Sequence, residues 1–339
     1  MTTRPDDFCR NDDPARFTHR HFDLNGVRWH VVDAGRGPLV ILLHGFPYLW
    51  YEFRHQIPAL AEAGYRVLAP DFPGFGGSAL PADLERYDMA HLVADLVGMM
   101  HCVGAASATL VGHDCGSHVA FAAVQMRPDL FRGAVFLSTP PIPRGPVAPG
   151  EAWRSLRERT GKRFYQEVFA APEALPQLDA DIRKSLRAMM YSVSGSARHQ
   201  ERWRLDLEPG EGILDTVHDP ARLPQWLSSQ TLDYYVGEYA RRGFDGPLNY
   251  YRVRSDNWHR LAFLDGVSPT LPALFVGGAA DPSLERFQPF YDQLEKLLPD
   301  LRKKMLLEGV GHGLPEEAPQ ALNQLLLDFL AALNMTHRP

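Results

Sequence analysis

Short apolar runs recur along the chain at residues 40–43, 66–69, 108–111, 133–137, 273–276 and 304–307. Between them lie stretches with helical spacing, at 50–63, 89–103, 117–126, 283–298 and 315–333. Apolar runs of four or five residues suit strands buried on both faces, and their alternation with helices predicts a parallel sheet covered on either side. Ahead of the first run, residues 19–33 alternate polar and apolar around Asn25-Gly26, a dipeptide that favours a tight hairpin. An antiparallel edge on an otherwise parallel, doubly wound sheet is expected.

The alternation breaks at Thr139-Pro140-Pro141-Ile142-Pro143-Arg144-Gly145-Pro146-Val147-Ala148-Pro149-Gly150, and sheet-like runs resume only near Leu271. The intervening segment is rich in Trp, Tyr, Arg and Met and has helical spacing at 182–191 and 232–242. It reads as a helical cap inserted between two strands, above the carboxyl ends of the sheet where open α/β folds bind ligands. The predicted division is a core of 1–139 and 266–339 with a cap of 140–265.

Composition restricts the chemistry. With 339 residues, 45% of them hydrophobic, the chain can bury a large core. Its net charge of −6 and lack of a Lys/Arg cluster argue against nucleic acid or an anionic membrane surface as partner, and favour a small apolar substrate. The first residues lack the apolar stretch of a signal peptide, and no run approaches the ~20 residues that span a bilayer. A soluble cytoplasmic protein is the expectation. Cys9, Cys102 and Cys115 are too few and too scattered for a disulfide framework or a zinc site, so reduced thiols, no metal and no cofactor are expected.

Gly112-His113-Asp114-Cys115-Gly116 follows the third run and precedes a helix of small residues. This is the spacing of a nucleophile elbow, G-x-S-x-G, with a carboxylate in place of the serine. A nucleophile needs a base, an acid to orient it and donors for an oxyanion. The base is read as His312, in the glycine-rich loop Glu308-Gly309-Val310-Gly311-His312-Gly313 after the last apolar run. The orienting acid is read as Asp281, beyond the preceding strand; Thr139-Pro140-Pro141, at the alternative position, offers no carboxylate. Backbone N–H groups of Phe46, in His44-Gly45-Phe46-Pro47, and of Cys115 are the candidate oxyanion donors. His44 and the turn Asp71-Phe72-Pro73-Gly74-Phe75-Gly76-Gly77-Ser78 are read as loop architecture.

Taken together, His44-Gly45-Phe46-Pro47, Asp71-x-x-Gly74-x-Gly76-x-Ser78, Gly112-His113-Asp114-x-Gly116, Asp281 and Gly311-His312 resemble, in order and spacing, the epoxide hydrolase branch of the α/β-hydrolase fold. The resemblance runs over almost the whole chain. It implies conversion of an epoxide and water to a vicinal diol through a covalent ester on Asp114, with two cap tyrosines protonating the epoxide oxygen. Phe164-Tyr165-Gln166-Glu167-Val168-Phe169 is similar to the segment carrying the first phenol. Asp233-Tyr234-Tyr235-Val236, followed by Gly243-Phe244-Asp245-Gly246-Pro247-Leu248-Asn249-Tyr250-Tyr251-Arg252, is similar to the segment carrying the second. Tyr165 and Tyr235 are the expected acids, with Tyr234, Tyr239, Tyr250 and Tyr251 assigned to packing.

Haloalkane dehalogenases share much of the pattern; both families commonly have tryptophan after the nucleophile, so Cys115 departs from both, and in the dehalogenases that indole helps to hold the halide. Cys115 is a weak donor there, which counts against dehalogenation; cap residues Trp203, Trp226 and Trp258 keep that alternative open. A serine esterase is disfavoured because Ser117 falls inside the helix. A catalytically silent ligand receptor on the same fold is disfavoured by the intact Asp114, Asp281 and His312 set.

Overall fold

The computed structural model describes residues 12–335. Cys9 and the first residues, which bear on the expectations about thiols and a signal peptide, lie outside that range. Among the described residues there are ten strands: β1 (His19–Leu24), β2 (Val27–Gly35), β3 (Leu39–Leu43), β4 (Arg66–Pro70), β5 (Ala108–His113), β6 (Phe131–Leu137), β7 (Arg163–Phe164), β8 (Asp206–Leu207), β9 (Ala273–Gly278) and β10 (Leu301–Leu307).

Eight of them form one sheet in the order β1-β2-β4-β3-β5-β6-β9-β10. The pairs β1/β2 and β2/β4 are antiparallel and the remaining pairs are parallel. The hairpin turns at Asn25 (φ 48°) and Gly26 (φ 86°), both in the left-handed region that a two-residue turn matching strand twist requires. Every residue of β3, β5 and β9 is buried, as strands covered by helices on both faces must be.

Three of the expected helices are each divided. The 50–63 stretch becomes a short 3-10 turn, Trp50–Phe53, and a helix, Gln56–Glu62, because the Pro58 ring would collide with the carbonyl four residues earlier. Pro319 divides the last one in the same way, into Leu314–Glu317 and Pro319–Met335. The 283–298 stretch splits into Leu284–Asp292 and Leu294–Leu297.

The segment between β6 and β9 holds seven helices and the small antiparallel pair β7/β8. Among the helices are Tyr165–Ala170, Ile182–Ser192, Ser229–Arg242, Asp245–Arg252 and Arg254–Arg260. It docks on the core partly backbone to backbone: a methyl on Gly195 would strike the Gly309 carbonyl, and one on Gly311 would strike Gly195. Chain order reverses where β3 and β5 lie side by side, β4 having been added on one flank and β5 on the other. The loops that leave these two strands therefore face each other, and this crevice is where a doubly wound sheet receives its ligand.

Among the described residues no helix is long and apolar enough to cross a membrane, and no group of His, Cys, Asp and Glu is arranged to hold a metal ion. Cys102 is exposed and Cys115 is buried, and neither is bonded to another cysteine.

Candidate active site

Asp114 links β5 to the helix Cys115–Met126 with φ 50° and ψ −112°, a conformation that costs a non-glycine residue of order 1–3 kcal/mol and persists only when its surroundings hold it. They do so by close approach. A methyl on Gly116 would run into the Leu43 carbonyl of β3, and one on Gly112 would run into Gly116. Ser117 turns inward, its hydroxyl donating to the Gly112 carbonyl at 2.8 Å, so it is a packing residue.

The groups that the motif spacing suggested converge on this carboxylate. The Phe46 N–H donates to Asp114 Oδ1 at 3.1 Å. Cys115 is the first residue of the helix, where N–H groups lack intrahelical acceptors. His312 Nε2 lies 3.5 Å from Asp114 Oδ2, and His312 Nδ1 lies 2.7 Å from Asp281 Oδ2. The other oxygen of Asp281 accepts the Ser283 N–H at 2.7 Å, so this carboxylate both orients the imidazole and fixes its own turn.

Charge reinforces the geometry. Burial alone would raise the Asp114 carboxyl, but the hydrogen bond and charge of His312 carry it well below the usual carboxylate range. Burial would likewise strip His312 of its proton, yet Asp281 and Asp114 hold it protonated well above the usual imidazole range. The resting site is an anion–cation–anion row. Burial, reinforced by the Asp114 charge, pushes the Cys115 thiol far up, so it is a neutral neighbour and not a competing nucleophile.

Asp114, His312 and Asp281 open on a cavity of about 590 Å³, its mouth included, walled by Phe46, Met189, Val193, Trp203, Leu205 and Phe287. Tyr165 lines it, its hydroxyl accepting from Gln166 Nε2 at 3.0 Å. Tyr235 does not. It is wholly buried behind the His312 loop, packed on Tyr48 and Tyr51, and its hydroxyl donates to Glu316 Oε1 at 2.9 Å. The second phenol in the cavity wall is Tyr251, on Asp245–Arg252, its ring packed at 4.9 Å from Phe169 and 5.7 Å from Phe46. Tyr235, expected in the site, thus lies outside the cavity wall because its helix turns it toward Glu316, and Tyr251, expected to pack, lies in that wall. Burial raises both cavity phenols above their usual range, so both remain protonated donors.

Further residues, not singled out by the motifs, support the set. Buried His113 donates from Nε2 to the His312 carbonyl at 2.8 Å and meets Glu52 Oε2 with Nδ1, also at 2.8 Å. Glu52 Oε1 in turn accepts the Gly45 N–H, tying the Phe46 loop to the His312 loop. Ser138 donates to the same His312 carbonyl at 2.6 Å. His44 accepts the Phe72 N–H on Nε2 and therefore donates from Nδ1 to the Gly45 carbonyl, holding two loops together as expected. Glu317 accepts N–H groups from Gly195, Gly311 and Gly313, clamping the cap loop onto the histidine loop.

The family model for the alpha/beta hydrolase fold matches residues 38–319. Epoxide hydrolase A of Mycobacterium tuberculosis (strain ATCC 25618 / H37Rv) is 41% identical over 323 residues, spanning 94% of this chain and 98% of that protein. An epoxide hydrolase from an endophytic Streptomyces superposes with a TM-score of 0.90 at 39% identity, covering 94% of this chain and 96% of that one. Epoxide hydrolase A from Mycobacterium thermoresistibile superposes with a TM-score of 0.87 at 40% identity, over 93% and 98%. With a carboxylate at the elbow and relatives aligned from end to end, the chain belongs to the epoxide hydrolases of the α/β-hydrolase fold.

Proposed function

We propose that this enzyme hydrolyses a small, largely apolar epoxide to a vicinal diol through an ester on Asp114. The observation that carries the reading is that one cavity holds the anionic Asp114, the His312–Asp281 pair and two protonated phenols, Tyr165 and Tyr251. A ring oxygen leaves as an alkoxide tethered to its own carbon, so a donor placed at that oxygen lowers the barrier directly.

In the first step an Asp114 oxygen attacks the less hindered ring carbon, the C–O bond breaks, and a phenol gives its proton to the departing oxygen. The product is a hydroxyalkyl ester and a phenolate. Esterification also removes one of the two negative charges that hold the proton on His312. Its proton passes to the phenolate, and the neutral imidazole, still oriented by Asp281, takes a proton from water. That water attacks the ester carbonyl carbon of Asp114 while the Phe46 and Cys115 N–H groups hold the oxyanion. The diol departs and the carboxylate is restored.

Turnover of styrene oxide to its diol, abolished by Asp114→Ala, tests the reading. His312→Gln should stop at the ester, seen as a mass increase equal to the epoxide on the peptide containing Asp114. Failure to trap any adduct would count against the ester. A second reading rests on Trp203, whose buried indole N–H in the cavity wall has no acceptor and suits a halide. Halide release from a haloalkane, measured in parallel, separates the two.

A further inference from the structure

Arg254 is the one cation in the cavity wall that the mechanism does not use. Neighbouring arginines of the cap are engaged: Arg252 with Asp245, Arg260 with Glu85 and Asp88, Arg144 with Asp265. Arg254 is not. Among the described residues no carboxylate pairs with it, none of its N–H groups finds an acceptor, and its Nε is buried without a partner. Its guanidinium lies over the Tyr251 ring, 5.2 Å from the centroid, which places the charge within about one phenol's length of the hydroxyl that faces the epoxide.

Beside it in the wall stands His118, which burial and the Arg254 charge push down to about 3, so it is a neutral imidazole with an N–H to offer. The rest of the wall combines the Asp114, His312 and Asp281 set and the polar Thr139, Gln166 and Ser283 with aromatic and aliphatic side chains. A half-buried guanidinium that no carboxylate of the cavity contacts directly is a receptor for a planar anion, which its fork can hold by two parallel hydrogen bonds.

We propose that Arg254 anchors an acidic group on the substrate, so that the site selects epoxides carrying a carboxylate a few bonds from the ring on an apolar body. The inference rests on the epoxide reading and names the substrate class for it. The alternative for Arg254 is to favour the phenols electrostatically, which would help every epoxide equally.

The test compares 4-(oxiran-2-yl)benzoate with its methyl ester, two substrates alike except for the charge. In the native enzyme kcat/KM for the acid should exceed that for the ester by roughly tenfold or more, through KM. Arg254→Met should reduce that ratio roughly ten- to a hundredfold, and Arg254→Lys, keeping charge but losing the fork, should keep part of it. A native ratio at or below one overturns the proposal without recourse to any variant, as does a ratio unchanged by Arg254→Met while both substrates slow together. If the native enzyme turned over neither compound, the epoxide reading would fall, and this inference with it.

Discussion

The two carboxylates that flank His312 differ in what they can do, and position alone makes the difference. Both line the cavity, but Asp281 is spent on Nδ1 and on the Ser283 N–H, whereas Asp114 is held by the Phe46 N–H, by the Nε2 side of His312 and by a long contact from the Thr139 hydroxyl at 3.5 Å. These residues were legible because elbow, acid and histidine each sit at a strand end, where spacing marks them. The phenols were less so. Tyr234, Tyr235, Tyr250 and Tyr251 lie on two cap helices, and only packing decides which of two adjacent tyrosines turns to the cavity. Tyr250 donates to the Pro73 carbonyl and Tyr251 faces the site. Two conservative variants distinguish the assignments by steady-state kinetics and melting. Tyr251→Phe should lower kcat/KM by roughly a hundredfold with the fold intact, because one of two acids is lost. Tyr235→Phe should leave the chemistry near native and cost stability, about 1–3 kcal/mol, because buried Glu316 loses a donor.

At the scale of elements, the histidine loop is held from three sides: by the Val193 carbonyl on the His312 N–H, by His113 and Ser138 on its carbonyl, and by the Glu317 carboxylate beneath. None of these contacts shows in the sequence pattern, since each joins residues far apart in the chain or lies in a loop without periodicity. Glu317 has a measurable consequence. Burial outweighs its three N–H donors and raises its carboxyl from the ordinary 4.5 to about 7. The folded protein therefore binds this proton more tightly than the unfolded chain, so the group's contribution is full below about 4.5 and is lost as pH rises through about 7. Thermal melts across pH 5 to 8, on the order of the window set by this shift, should show native stability falling relative to Glu317→Gln. Parallel curves for the two proteins would contradict the assignment.

Over the whole molecule, the alternation of strands and helices made the mostly parallel sheet legible, because burial on both faces leaves continuous apolar runs. How the cap is tied down was not visible. Arg54, buried beneath the site, bridges Asp12 and Glu316, reaches Thr231 on the cap, and shares Glu316 with Tyr235. Removing it strands two carboxylates. Arg54→Met should destabilise the protein by about 3–5 kcal/mol in denaturant unfolding, and a loss below about 1 kcal/mol would show that the pair is dispensable. The division of labour between core and cap also shows why the rest depends on the nucleophile: the sheet supplies Asp114, Asp281 and His312, and the cap supplies the phenols Tyr165 and Tyr251 that would meet the leaving oxygen. A single turnover in heavy-oxygen water, with enzyme in excess over styrene oxide, tests the nucleophile's identity most directly. With Asp114 as nucleophile the diol is free of heavy oxygen and the label enters the Asp114 carboxylate; heavy oxygen in the diol on the first turnover would mean that water attacks the epoxide itself.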